Sequence, residues 1–218
     1  MHSPVKSVVL LPAYYLPNLE YFTLILLADS LCIESHENFQ KQTFRNRCYV
    51  KTANGIERLT IPLKKNQGKT PIRDVKIDYD QPWMKKQWKC LTSAYANSPY
   101  FEFFAADFKN ILDRKIPFLF DLNTELLTLC LKILNLPKTV TYNLSYEEIP
   151  SNPIYDARSC ITDKKNVNTY QFYHPYPYYQ TFGNDFSENL SIVDLLFNKG
   201  PEALEVLRQS VKDPVPSQ

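Results

Sequence analysis

The chain has 218 residues, 44% hydrophobic and 22% charged, which excludes a wholly disordered chain, and its four glycines exclude a collagen-like or Gly/Ser-linker protein. Its formal charge of +2 predicts no strong overall field, but residues 41–89 hold 13 Lys/Arg against four Asp/Glu, so one part of the surface is expected to favour anions. The length suits a single domain, read as residues 1–210 with a tail at 211–218.

Ser7–Leu11 is an apolar run that predicts a buried strand. Pro12 and Pro17 bracket an aromatic turn, and Asn18 is placed to cap a helix from Leu19 to Ala28. A strand, a proline-stiffened loop and a helix in that order make the loop, with Tyr14 and Tyr15, a candidate ligand position. Leu31–Glu34 reads as a second short strand. Asn54-Gly55 is a hairpin signal between Cys48–Lys51 and Glu57–Pro62. Ile72, Val75 and Ile77 suggest a further strand. Helices are predicted over Gln81–Ala96, Tyr100–Leu112 and Asn123–Leu134, and a strand over Thr139–Tyr142. Glu147–Phe182 has no clean period; its seven aromatics between Tyr170 and Phe182 are expected to pack on the domain or on a partner. Ser191–Phe197 and Pro201–Arg208 read as short helices. These elements predict an α/β fold with a mixed sheet, including an antiparallel hairpin, covered by several helices.

The five cysteines show no metal-ligand spacing, and no metal or cofactor is expected. With no signal peptide read and no apolar stretch near the ~18 residues needed to span a bilayer, the expected setting is the reducing cytoplasm. Neither a Walker loop nor a GxGxxG turn can be built from the glycines present, and nucleic acid is not an expected partner. His36-Glu37 is the best acid/base pair by composition, because imidazole exchanges protons near neutral pH. Arg45-Asn46-Arg47 offers two guanidiniums that grip phosphate or carboxylate bidentately, with Lys51 nearby. The structural alternative is that either arginine pairs with Glu34, Glu37 or Asp78. Trp83 and Trp88 cannot share one helix face, so at least one is expected in the core.

Several pieces together resemble one family. They are Tyr15-Leu16-Pro17 with Tyr21-Phe22, Asn46-Arg47 with Lys51-Thr52-x-x-Gly55, Leu59-Thr60-Ile61-Pro62, Gln81-Pro82-Trp83-x-Lys85-x-x-Trp88, Ser98-Pro99-Tyr100-Phe101, and Leu190-Ser191-Ile192-x-Asp194-Leu195-Leu196-Phe197-Asn198-x-Gly200. The combination resembles the WbqC-like family of bacterial proteins, in a divergent branch of the kind seen in Bacteroidetes. The His-Gln-Pro triplet frequent there is replaced by Leu11-Pro12-Ala13. The resemblance implies a role in surface-polysaccharide (O-antigen) biosynthesis, as an enzyme acting on a nucleotide-activated amino sugar and transferring a small acyl or aminoacyl group. The alternative it leaves is a non-catalytic protein that binds a glycan or nucleotide sugar, or assembles with neighbouring enzymes or a second copy of itself. In the enzymatic reading Arg45, Arg47 and Lys51 meet the diphosphate, and His36 or Glu37 accepts a proton.

Overall fold

A computed structural model describes residues 8–65, 69–151, 154–162, 170–183 and 185–212. The tail beyond Lys212 and the centre of the basic loop at 66–68 lie outside these residues. Strand β1 (Val8–Pro12) leads through the proline turn into helix α1 (Leu19–Leu27) and back into β2 (Ser30–Glu34). Asn18 caps α1 as expected: its side chain accepts the Tyr21 backbone N–H at 3.3 Å. Almost every residue of α1 is buried, which is why its pattern is apolar nearly all round.

β1 pairs in parallel with β2 on one side and with β6 (Ile154–Asp156) on the other, and β2 pairs in parallel with β5 (Thr139–Tyr142). The sheet order is therefore β5-β2-β1-β6. Val9, Leu11, Leu31 and Ile33 are wholly buried on one face and Leu10 and Cys32 are buried on the other, as inner strands covered on both faces require. The antiparallel hairpin, β3 (Arg47–Thr52) and β4 (Gly55–Thr60), forms a second sheet. The α/β reading with an antiparallel hairpin holds, but parallel and antiparallel pairs are segregated rather than mixed in one sheet. Ala53 and Asn54 form the turn, and Gly55 follows at φ 106, a left-handed position that glycine adopts without strain.

The remaining helices are α2 (Trp83–Tyr95), α3 (Phe101–Asp113), α4 (Leu119–Ile133), α5 (Ile192–Lys199) and α6 (Ala203–Gln209). Two expectations change. Ile72–Asp74 is a 3-10 turn, not a strand. The backbone there and just beyond bonds to separate segments, at Glu37, Pro62 and Pro117, so it has no continuous partner strand. Helix α4 starts at Leu119 rather than Asn123, because the Leu119 N–H docks on the Val75 carbonyl. Asn123 instead lies inside the helix, where its amide bolts together the Ala13 and Arg45 carbonyls at 3.0 and 2.8 Å. The aromatic segment packs largely on the domain: Phe172, Tyr173 and Tyr178 are buried, whereas Tyr176 and Tyr179 are exposed. No helix of the described residues is long and apolar enough to cross a membrane.

Candidate functional site

The four parallel strands end on one edge, at Pro12, Glu34, Tyr142 and Asp156. From β1 the chain moves outward to β2 and β5, then returns to the opposite side of β1 for β6. Ligands of open α/β sheets bind outside the carboxyl ends of the strands at such a reversal. Here the reversal brings the residues after β1, Ala13 and Tyr14, beside those after β6, Ala157 and Arg158. The Tyr14 hydroxyl donates to the Ile161 carbonyl at 2.7 Å, and the Ala157 N–H reaches the Leu10 carbonyl at 2.9 Å.

Glu34 closes β2 at this edge and is 0% exposed. Its Oε1 accepts the backbone N–H groups of His36 (2.8 Å) and Glu37 (3.1 Å) and the side-chain amide of Asn143 (2.6 Å). Its Oε2 accepts an Arg158 guanidinium N–H at 2.9 Å. A buried carboxylate so satisfied does not pay the cost of an unpaired charge, and it bends the chain so that His36 and Glu37 leave the strand as a tight corner. Arg158 continues to Asp156 at 2.7–2.9 Å and to the Glu148 carbonyl, and it lies over the Tyr146 ring. Burial opposes ionisation of Asp156, but the hydrogen bonds from Arg158 prevail and hold its carboxyl below the usual range.

Glu37 is buried and receives both arms of the Arg45 fork, Nε to Oε1 at 2.8 Å and Nη2 to Oε2 at 2.5 Å. Arg45 also faces the Tyr14 ring, 5.7 Å from its centroid. Burial pushes the Tyr14 phenol well above the usual tyrosine range. His36 is half-buried, and its Nε2 stands 3.2 Å from Nη1 of the exposed Arg73. A guanidinium only donates, so the Nε2 that faces it is the acceptor of this contact.

Beyond this corner the same loop reaches a cavity of about 360 Å³ between the loop, β4 and the basic segment after it. Phe39, Asn46, Arg47 and the lysines at 41, 64 and 65 line it, and no acidic side chain does so among the described residues. Lys64 is drawn partly away by Asp80 at 2.6 Å and Asp78 at 3.5 Å. Asn46 is held by its own amide, which donates to the Ile61 carbonyl at 2.9 Å. Phe39 is three residues from His36, so their Cα atoms lie within about 11 Å even on a fully extended chain.

Of the residues selected from sequence, Tyr14, His36, Glu37 and Arg45 therefore meet at the strand ends, and Asn46 and Arg47 line the adjoining cavity. Tyr15 is wholly buried, with its hydroxyl donating to Gln87 Oε1 at 2.7 Å. Lys51 turns to the C-terminal half, donating to Gln180 Oε1 at 3.2 Å and to the Asp185 carbonyl. There it joins the wholly buried Asp194, whose carboxylate takes the Tyr95 and Tyr178 hydroxyls at 2.7 Å and the Gln180 amide at 3.0 Å. Sequence reasoning missed Glu34 as a member of the site, and Asn143, Asp156 and Arg158 altogether. Glu34 carried one usable signal, a carboxylate closing an apolar strand. The other three become neighbours only through strand pairing.

Residues 13–157 and 148–206 match the model of the WbqC-like protein family. The chain is also similar to "Uncharacterized protein Rv1507c" of Mycobacterium tuberculosis (strain ATCC 25618 / H37Rv), at 28% identity over 237 residues covering 94% of this chain and 98% of that one. No solved structure matches it. Because the family model spans most of the chain, this protein belongs to the WbqC-like family.

Proposed function

We propose that this protein is an enzyme of surface-glycan biosynthesis that acts on a nucleotide-activated amino sugar and transfers a small acyl or aminoacyl group to its amine. The observation that supports the reading most is the basic cavity at Asn46 and Arg47, walled partly by the loop that begins at His36. A diphosphate is matched by the Arg47 fork with the lysines at 41 and 65 around it. The sugar then extends along the loop toward His36. The amine nitrogen bonds to the acyl carbon of an activated donor, the bond to the donor's leaving group breaks, and the Nε2 of His36, once Arg73 turns aside, takes the ammonium proton. Glu37 does not serve as that base in this reading. Its two oxygens are occupied by Arg45, and the pair holds the loop on which His36 and Arg47 both sit.

One observation favours the non-catalytic alternative: the Nε2 atom of His36 is already engaged by Arg73. Two measurements on the same proteins separate the readings. Calorimetry with a panel of nucleotide sugars should show binding that Arg47→Ala weakens about tenfold or more, a loss of about 1.4 kcal/mol. His36→Ala should keep that affinity and lose turnover with an acyl donor. Binding with no turnover in the unaltered protein would leave the binding role. Failure of every nucleotide sugar to bind at millimolar concentration would overturn the enzymatic reading and leave only a glycan-binding or assembly role.

A further inference from the structure

A second basic concavity lies away from the strand ends, between α2 and the end of α3. Its volume is about 430 Å³, within the range of small-molecule sites. Helix α2 turns Trp83, Gln87 and Leu91 into the core, leaving two stripes for its outer side. Met84 and Trp88 form one and Lys85 and Lys89 the other, each pair four residues apart and so one above the other. Leu112 of α3, 4% exposed, completes an apolar floor with Met84 and Trp88. Lys109 and Lys115 bring the lysines at the rim to four, against one acid, Asp113.

The charges are not balanced internally. Lys109 is paired with Asp113, but Lys85, Lys89 and Lys115 have no ion pair among the described residues. Trp88 is half-buried, packed against Phe101 at 6.2 Å between ring centroids and 31° between planes. The Lys109 ammonium stands 5.9 Å from the centroid of the indole, over its face. An indole with one side supported and its neighbourhood ringed by ammonium groups offers flat apolar contact and anion attraction together. The groove has no arginine, so it supplies point charges that follow an anion rather than a fork that fixes one. A strand of nucleic acid needs successive stacking platforms, and here there is one.

We infer that this groove is a binding site, separate from the cavity at Arg47, for a small ring-bearing anion: a sugar or nucleoside ring packed on Trp88, Met84 and Leu112, with its phosphate among Lys85, Lys89 and Lys115. The ring supplies the apolar contact and the charge supplies the attraction, so neither alone is a sufficient ligand. The site does not depend on the function proposed above.

The two tryptophans make the test direct. Trp83 is buried and Trp88 borders the groove, so Trp83→Phe leaves Trp88 as the sole indole reporter. Should that variant fold poorly, amide chemical shifts of the unaltered protein serve the same purpose. Glucose 1-phosphate and UMP are titrated, each to saturation, and the tighter of the two identifies a sugar or a nucleoside as the preferred ring. Glucose, uridine and inorganic phosphate are the controls. At least one ring phosphate should bind about tenfold more tightly than every control. Its affinity should fall with salt and drop about tenfold in Lys85→Ala/Lys89→Ala, with the melting temperature unchanged. Arg47→Ala should leave this titration unaltered, which separates it from the other cavity. Equal binding of inorganic phosphate, equal binding of the neutral rings, no saturable response, or loss of the signal in Arg47→Ala each overturns the inference.

Discussion

The corner at the strand ends and the cavity beside it are built from the same loop, yet they treat charge in opposite ways. At the corner, Glu34 and Glu37 are buried and each is met by an arginine, Arg158 and Arg45. In the cavity, arginine and lysines line one open space with no carboxylate among the described lining residues. The first arrangement spends its charges on holding the loop, because an unpaired buried ion would be costly. The second leaves an open space walled by basic side chains and by none of opposite charge among its described lining. A basic residue's place in the sequence says little about its surroundings: Arg45 and Arg47 are two apart, and one is locked to a buried carboxylate while the other lines the cavity.

The sharpest way to break the contrast is to remove one half of a buried pair. Arg45→Ala leaves the Glu37 carboxylate buried without its partner and should destabilise the fold by about 3–5 kcal/mol. Chemical denaturation measures it. A loss no larger than that of a surface ion pair would mean that the corner is wet and that its charges are not structural.

A smaller effect of a different kind is expected two residues away. Arg47→Lys keeps the charge but loses the fork, and should cost about 1–3 kcal/mol in affinity for a diphosphate ligand. The melting temperature should hardly move. The reverse outcome, a lower melting temperature with unchanged affinity, would assign Arg47 to the structural side and remove it from the cavity's function.

The smallest effect sharpens the corner's own edge. Asp156 is partly exposed, so its bonds to Arg158 should contribute no more than about 1 kcal/mol. Its folded-state pKa lies below the ordinary value of 3.8, so the folded chain binds this proton less readily than the unfolded one. The contribution is therefore present above that ordinary value and lost as pH falls through the depressed one. The stability gap between the protein and Asp156→Asn should be constant from neutral pH down to about pH 5 and close below the ordinary aspartate range. A gap that widens on acidification would contradict the assignment.

Local chemistry in the sequence was enough to place most of the elements. Apolar runs marked β1 and β2, the Asn54-Gly55 turn marked the hairpin, Asn18 announced the start of α1, and spaced apolar residues marked α2. The resemblance carried by separated short motifs was enough for the family. Within the site, the loop from His36 to Arg47 was legible because imidazole, carboxylate and guanidinium stand close together along the chain.

Tertiary structure decided what those groups do. Strand pairing across more than a hundred residues brings Asn143 and Arg158 to Glu34, and no local pattern encodes such a meeting. β6 is three residues long in a segment without a period, and it exists because β1 offers it an open edge. Ile72–Val75 shows the converse, since apolar spacing alone does not make a strand where no neighbour can continue the ladder. Lys51 and Tyr15 are the same lesson in side chains. Each sits in a motif near the loop, and each is drawn to a buried partner, Gln180 or Gln87, because an enclosed polar group bonds where the packing places a complement. The sequence by itself determined which residues were available for chemistry. Burial and pairing, which exist only in the assembled fold, settled which of them are locked into internal contacts and which line the cavity.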